Sequence, residues 1–218
     1  MIGITEVNPK NASWNICLED LNLRGYTAYA SLEGRGVVLY VRNTLQSYEI
    51  KLDPPCDSTV WCAIQLRDMD KLLVGVVYRS PGSTESQNKC ITSAISEIVS
   101  RNPSHLLVMG DFNYPGIDWN NELSERSQQE QEFLSSFRDW FLWQHVKEPT
   151  RYRSQQTANI LDLVMTNEED MIQHINYNEP VGKSDHLCID WNLNCFADRI
   201  KRTTKVIKYS FDRGIMTK

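Results

Sequence analysis

The chain has 218 residues, of which 41% are hydrophobic and 23% are charged, a composition typical of a globular domain. Its longest apolar runs, residues 72–78 and 106–109, are much shorter than the ~20 residues that a membrane-spanning helix requires. The formal net charge of −5 excludes a protein that binds nucleic acid through general positive charge, so such a contact would need local basic loops or a divalent cation.

Short apolar segments bounded by Gly, Pro, Asn or Asp predict β-strands along most of the chain. They cover residues 2–5, 37–41, 60–66, 72–78, 106–109, 161–166 and 187–192. Helices are predicted over residues 85–101 and 128–143, because each segment combines a capping-box spacing with one apolar face. This pattern indicates an α/β or α+β fold in which helices pack outside sheets.

The six cysteines form no CxxC pair and no spacing with histidine that is typical of zinc ligands. A chain of this size can bury its core without disulfides, so we expect reduced thiols in an intracellular protein. The first residues lack the basic and then apolar pattern of a signal peptide. We therefore expect an intracellular location and no membrane association.

The end of the chain differs from the rest in charge. Residues 199–218 contain seven Lys or Arg and one acidic residue, whereas residues 1–198 contain 16 basic and 27 acidic residues. Apolar residues also become sparse there. We therefore predict one domain over residues 1–194, followed by a basic linker over residues 195–218.

Polar side chains lie at the ends of several predicted strands. Glu6 follows the first strand, Tyr78 ends a strongly apolar strand, and Asp111 and Asn113 follow another. Asp111 and Asn113 are two residues apart, so in an extended chain both project to the same side. A carboxylate beside an amide can hold a water molecule and a phosphoryl oxygen together, although the same pair also occurs in ordinary turns.

Two further carboxylates, Asp185 and Asp162, lie in the second half of the chain. Asp185 and His186 are adjacent, so in an extended chain they point to opposite sides. This allows one to hold a metal and the other to face a substrate, although such a pair also occurs in ordinary polar loops. Asp162 lies in an otherwise apolar strand, where an unpaired buried carboxylate is costly. We therefore expect a partner for Asp162, either a histidine or backbone amides that cap the strand.

If the strands lie side by side, these strand-end groups meet at one rim of the sheet. Carboxylates, an amide, a phenol and a histidine suit a hard cation such as Mg²⁺ and the attack of water on phosphorus. The sequence contains no Walker A, dinucleotide-binding, zinc-protease or serine-hydrolase motif. The residues therefore favour metal-assisted hydrolysis.

Gly-Asp-Phe-Asn at residues 110–113 and Ser-Asp-His at residues 184–186, with Glu6 and Tyr78, resemble the endonuclease/exonuclease/phosphatase superfamily. Further segments look like the endonuclease domain of non-LTR retrotransposons of the jockey and CR1-like branch: residues 4–11, 77–81, 110–119, 149–151 and 161–167. Residues 208–213 look like the lead-in to their reverse transcriptase. The resemblance implies a four-layered sandwich of two mixed β-sheets flanked by helices.

The resemblance also implies a role for each site residue. Glu6 is expected to bind the metal, with Asp185 close by, and Asp111 is expected to orient or deprotonate the attacking water. Asn113 and Tyr78 are expected to hold phosphate oxygens. His186, paired with Asp162, is expected to stabilise the negative charge that grows on the phosphoryl oxygens.

The implied activity is Mg²⁺-dependent nicking of target DNA that primes reverse transcription, with Mn²⁺ as an alternative cation. DNA and a downstream reverse transcriptase in the intact polyprotein are the implied partners, and the target implies access to the nucleus. We expect three residues to contact the substrate, although the two basic ones also suit solvated surface charge: Arg151, Asn159 and Lys183.

The family begins with a further strand, which ends in an asparagine at the metal site and precedes the glutamate by some tens of residues. Glu6 is the sixth residue here, so we expect that first strand to be missing and the activity of this chain to be impaired. Two alternatives to an active endonuclease are a catalytically impaired remnant and a phosphatase or phosphodiesterase of the same fold.

Overall fold

The computed structural model describes residues 1–10, 16–124, 126–152 and 158–197. These residues form the helices α1 (Glu85–Ser100) and α2 (Gln128–Asp139). The strands are β1 (Ile2–Thr5), β2 (Tyr26–Ser31), β3 (Val37–Arg42), β4 (Ser47–Ile50), β5 (Thr59–Gln65), β6 (Lys71–Tyr78), β7 (His105–Asp111), β8 (Ile117–Asp118), β9 (Leu123–Ser124), β10 (Trp143–Gln144), β11 (Asp162–Thr166), β12 (Ile172–Asn178) and β13 (Cys188–Leu193). Most of the predicted basic linker lies outside the described residues.

Every predicted strand is present, and the strands that sequence reasoning missed lie mainly at sheet edges. β2, β4 and β12 each end a sheet or hairpin, so each has one strand neighbour among the described residues. Edge strands are half-exposed and carry fewer apolar residues, which weakens the sequence signal on which the predictions depend. The two-residue strands β8, β9 and β10 are too short to give such a signal.

A six-stranded mixed sheet forms the centre of the molecule, in the order β10-β11-β7-β6-β5-β4. β6 and β7 are parallel, and the other neighbours in this sheet are antiparallel. α1 supplies the crossover connection that a parallel pair requires. Both central strands are buried on both faces, which explains their nearly continuous apolar sequences.

Both α-helices pack on one face of this sheet. Ile91, Ile95 and Ile98 of α1 and Phe133 and Phe137 of α2 are buried in a shared core. α1 begins with the predicted capping box, since Thr84 and Gln87 exchange both hydrogen bonds.

The start and end of α2 differ in part from the prediction. The Ser127 side chain accepts a hydrogen bond from the Glu130 amide, but Glu130 does not return it. The Glu130 carboxylate instead accepts hydrogen bonds from the Gly116 amide and the Ser124 hydroxyl, at 2.7 and 2.8 Å. α2 ends at Asp139 rather than at residue 143, because the chain turns through Phe141, which has a φ of 53°.

A second layer of strands covers the other face of the central sheet. It consists of the antiparallel sheet β1-β3-β2 and the antiparallel hairpin β12-β13, whose apolar residues enter one core with the central sheet. A Cβ atom on Gly3 of β1 would lie 2.9 Å from both Met109 and Val76, so β1 packs directly on β7 and β6. The predicted mixed α/β sandwich is confirmed.

A 3-10 turn, Leu18–Leu21, contacts the β1-β3-β2 sheet. Its last carbonyl, that of Leu21, accepts a hydrogen bond from the Tyr40 hydroxyl at 2.8 Å. β1 has β3 as its one partner in the described part of the chain, and its Ile2 and Ile4 are 41% and 43% exposed. Neither α-helix in the described ranges is long and apolar enough to cross a membrane.

Candidate active site

Three neighbouring strands bring polar residues into one row across the central sheet. The register pairs Tyr78 of β6 with Asp111 of β7, and Asp111 with Asp162 of β11. Residues that are directly opposite on neighbouring strands project from the same face of a sheet. The structure thus brings these three predicted site residues to one rim of the sheet, as expected if their strands lie side by side.

Asp111 and Asn113 form a compact loop at this rim. Both are buried, and Asn113 donates to Asp111 through its backbone amide at 3.1 Å and its side-chain amide at 2.7 Å. The same side-chain amide donates to the Arg79 carbonyl at 2.8 Å. Asn113 therefore fixes the orientation of the Asp111 carboxylate and is itself fixed to the end of β6.

Gly110 allows this loop to form. It has a φ of 143°, and a Cβ atom at this position would lie 1.9 Å from the Val77 carbonyl oxygen. Any side chain would therefore collide with the backbone of β6 at the position where β7 delivers Asp111.

We expect Gly110→Ala to lower the free energy of unfolding by about 2–4 kcal/mol, because it adds both backbone strain and overpacking. Urea denaturation followed by circular dichroism would measure this loss. Gly82→Ala is the matched control, since a Cβ atom on the exposed Gly82 has no neighbour within 4 Å. Equal stabilities for the two variants would contradict the assigned role of Gly110.

His186 contacts the carboxylates of this row. Its Nδ1 lies 2.8 Å from Asp162 Oδ2, and its Nε2 lies 4.0 Å from Asp111 Oδ2. Burial by itself would lower the pKa of His186, but the hydrogen bond and charge of Asp162, with the charges of Asp111 and Asp185, raise that pKa overall. The pairing of Asp162 with a histidine, one of the two arrangements expected from the sequence, is the one observed.

Asp162 is also anchored through its backbone. The Thr150 hydroxyl accepts hydrogen bonds from the Leu161 and Asp162 amides, each at 3.1 Å. Thr150 is completely buried, so this contact fixes the start of β11 and with it the carboxylate that orients His186.

The electrostatics of Asp111 favour added positive charge at the site. Burial, and then the negative charge of Asp162, raise the pKa of Asp111 to about 7, despite the opposing effects of His186 and Asn113. Ligand atoms of three residues lie within 4.8 Å of one another: Asp111, Asp162 and His186. This donor set, rich in carboxylate oxygens, suits a divalent cation.

Glu6 lies at the same rim but outside that group of three. Tyr78 donates a short hydrogen bond to Glu6 Oε1, and Arg35 Nη2 lies 2.7 Å from Glu6 Oε2. Burial opposes ionisation of Glu6, but the hydrogen bonds from Arg35 and Tyr78 outweigh it and lower the pKa of Glu6. Burial and the Glu6 carboxylate raise the pKa of Tyr78 in turn. Glu6 is therefore a fixed, ionised carboxylate.

Asp185, the other predicted metal ligand, also pairs with an arginine. Its Oδ2 lies 2.8 Å from Arg151 Nε. The structure therefore does not place Glu6 and Asp185 in the cluster of ligand atoms, which instead contains residues assigned to catalysis from the sequence. Both carboxylates nevertheless supply hard oxygen donors, which fit Mg²⁺ or Mn²⁺.

The three predicted substrate contacts differ in position. Arg151 forms isolated β-bridges with Asn159 and His186, which places the backbone of Arg151 and Asn159 beside the site. Lys183 is exposed in the turn that precedes Asp185.

Arg79 is a residue of the site that the sequence reasoning missed. It is 5% exposed and donates to Asn88 Oδ1 and to the Asn113 carbonyl, each at 2.8 Å. It also donates to Gln129 at 3.2 Å, and its guanidinium lies 4.0 Å from the centroid of the Tyr114 ring. Its one sequence signal is its place directly after an apolar strand.

Arg35 was missed as well, because it lies in a short loop between strands that carries no motif. Its contact with Glu6 joins residues 29 positions apart. Such a contact depends on how two loops meet in the folded chain.

Comparison with known proteins identifies a family to which the sequence of this chain is matched. A family model described as endonuclease-reverse transcriptase matches residues 72–190, which is more than half of the chain and includes Tyr78, Asp111, Asp162 and His186. A comparison with curated proteins returns no match.

Solved structures share the fold. The endonuclease domain of TRAS1, a telomere-specific non-LTR retrotransposon, is 16% identical with a TM-score of 0.60, covering 79% of this chain and 81% of that one. The 3′ phosphatase NExo from Neisseria, bound to a product DNA hairpin, is 14% identical with a TM-score of 0.54, covering 78% and 80%. The catalytic domain of Xenopus laevis APE2 is 12% identical with a TM-score of 0.53, covering 83% and 79%.

At these identities the structures establish the fold, and the match of the family model establishes the relationship in sequence. The chain belongs to the endonuclease-reverse transcriptase family, within the endonuclease/exonuclease/phosphatase superfamily.

Proposed function

We propose that the protein is a divalent-cation-dependent DNA endonuclease that nicks target DNA to prime reverse transcription. One observation carries the proposal: the buried Asp111–Asn113 loop lies against a His186–Asp162 pair, with His186 Nε2 4.0 Å from Asp111 Oδ2. A carboxylate and an oriented imidazole at one rim suit the attack of water on a phosphodiester.

In this proposal Asp111 orients the attacking water and accepts its proton. His186, which Asp162 holds in place, stabilises the negative charge that grows on the phosphoryl oxygens, since its raised pKa favours the protonated ring. Asn113 and Tyr78 contact phosphate oxygens. A cation held by Glu6 and Asp185, or by the cluster around Asp111, would supply further electrostatic stabilisation of the same oxygens.

We further propose DNA as the substrate and a reverse transcriptase as the partner in an intact polyprotein, which requires access to the nucleus. Arg151 and Lys183 offer positive charge to the DNA backbone beside the site. Asn159, which pairs with Arg151 through a β-bridge, is the third proposed substrate contact. The fold is shared with a retrotransposon endonuclease domain and with a 3′ phosphatase, so a phosphatase or small-molecule phosphodiesterase is the second candidate. Nicking of supercoiled plasmid, compared with phosphate release from a 3′-phosphorylated oligonucleotide, separates the two.

We expect Mg²⁺ to raise the melting temperature of the chain by about 3–6 °C at ten times its dissociation constant, because binding to the folded state alone stabilises it. Differential scanning fluorimetry would measure the shift, with KCl of equal ionic strength as the salt control. EDTA should abolish nicking, and Mg²⁺ or Mn²⁺ should restore it.

Glu6→Gln and Asp185→Asn should each reduce the Mg²⁺-dependent shift, because each removes a negative oxygen donor. Glu33→Gln is the matched control, since Glu33 is exposed and lies two residues from Arg35. An equal shift with KCl and with Mg²⁺ would rule out a specific cation site.

A further inference from the structure

Arg35 lies in the loop between β2 and β3, and this loop is joined to the segment that follows β1. The Asn8 amide donates to the Arg35 carbonyl at 2.9 Å, and the Asn8 side chain donates to the Leu32 carbonyl at 2.6 Å. Arg35 Nη1 donates back to the Asn8 carbonyl at 2.6 Å. The guanidinium is thereby held at the rim beside Glu6.

Two features make this guanidinium available to a ligand. The Arg35 side chain is 26% exposed, and the Glu6 side chain that it contacts is 44% exposed. Arginine has five N–H donors in a planar fork that fits phosphate oxygens. Two of those donors serve Glu6 and Asn8.

Asp185, the second predicted metal ligand, shows the same arrangement. It forms an ion pair with Arg151, in which Nε lies 2.8 Å from Asp185 Oδ2. Each of the two carboxylates is therefore neutralised by an arginine at the rim. A divalent cation bound to Glu6 would repel the positively charged guanidinium of Arg35, and this repulsion would weaken the ion pair between Arg35 and Glu6. A DNA phosphate at the same rim would give the guanidinium a new anionic partner.

We propose that Arg35 is a substrate-binding residue. When a cation occupies Glu6, Arg35 breaks its ion pair with Glu6 and binds a phosphate of the DNA backbone instead. The inference deepens the proposed function and rests on it. It makes two predictions of opposite sign for one variant: Arg35→Ala loses affinity for DNA and gains affinity for the cation.

The first measurement is fluorescence anisotropy of a labelled DNA duplex with the full chain, with Ca²⁺ replacing Mg²⁺ and intact duplex verified on a gel. Arg35→Ala should weaken binding about tenfold and reduce the slope of log affinity against log salt by about one, because one phosphate contact is lost. Arg35→Lys should restore the slope but recover only part of the affinity, since an ammonium keeps the charge without the fork.

Arg42→Ala is the matched control. Arg42 lies at the opposite end of β3, where its Nε donates to the Tyr26 hydroxyl at 3.1 Å, away from Glu6. Its loss should leave both the affinity and the salt slope within twofold of the unsubstituted chain. Thermal melts of all the variants establish that each is folded at the assay temperature.

The second measurement is titration of Mn²⁺ without DNA by isothermal calorimetry. Arg35→Ala should bind Mn²⁺ about threefold to tenfold more tightly, because a competing cation has been removed from Glu6. Weaker Mn²⁺ binding would mean that Arg35 serves to position Glu6, and it would overturn the proposed exchange.

The outcomes separate this inference from the proposed function. If the unsubstituted chain binds and nicks DNA while Arg35→Ala retains its affinity and salt slope, the role of Arg35 is overturned and the endonuclease stands. If the unsubstituted chain neither binds nor nicks DNA, both are overturned.

Discussion

Asp111→Ala and His186→Ala are each expected to slow nicking of supercoiled plasmid by roughly 10²- to 10⁴-fold, because each removes several kcal/mol of transition-state stabilisation. Asp111 is the buried carboxylate of the row, and His186 is the imidazole oriented toward it by Asp162. Single-turnover nicking with Mg²⁺ would measure the rate.

Asp139→Asn and His174→Ala are the matched controls for this pair. Both residues are exposed, Asp139 at the end of α2 and His174 on β12. They should leave the rate within a factor of two. Residual nicking above one-tenth of the original rate in either site variant would exclude that residue from the reacting centre.

Substitutions of Asp111 and His186 should also be non-additive. If the two residues act on the same step, the double variant should be little slower than the slower single variant. A double variant whose loss equals the product of the single losses would mean that the two residues act independently, and the arrangement of Asp111 against His186 would lose its mechanistic meaning.

Arg79→Met is expected to lower the free energy of unfolding by about 2–4 kcal/mol, because two buried acceptors and one partly buried acceptor, on three segments, lose their donor at once. These acceptors belong to Asn88, Asn113 and Gln129, so Arg79 joins α1, the Asp111–Asn113 loop and the start of α2. Urea denaturation would measure the loss. Arg79→Lys should recover little stability, because an ammonium cannot reproduce the fork of hydrogen bonds.

A control and a kinetic readout separate positioning from general stability. Arg101→Met removes an arginine that pairs with Glu97 at the end of α1 and is 40% exposed, so its cost should be below about 1 kcal/mol. At a temperature where Arg79→Met is folded, its kcat for nicking should fall at least tenfold while KM changes little, since the Asn113 loop is displaced. An unchanged kcat would limit Arg79 to a structural role.

Much of the fold follows from local sequence patterns. The strands buried on both faces, β6 and β7, carry nearly continuous apolar runs, and the two helices carry one apolar face each. These patterns depend on neighbours in sequence, so the chain alone predicts them. Edge strands such as β2 and β12 escaped prediction, because half of their surface faces solvent.

Most residues that meet at the candidate site were predicted from the sequence, whereas their contacts with one another were not. Tyr78, Asp111 and Asn113 were predicted because a polar group at or just after the end of an apolar strand lies at a sheet rim. Asp162 was predicted as a carboxylate inside an apolar strand, and His186 by its place beside Asp185 in a polar loop. The sequence also identified a histidine as one of two candidate partners for Asp162, which the structure places at 2.8 Å.

Only the tertiary structure decided which groups of the site form hydrogen bonds with one another. Tyr78 reaches Glu6 across 72 residues, and Arg35 reaches it across 29. Arg79 reaches Asn113 across 34 residues and Gln129 across 50. Such partners depend on sheet register and on how separate loops meet, which no local pattern encodes. The sequence by itself determined the residue types and the rim of the sheet, and the register of β6, β7 and β11 determined how those residues act on one another.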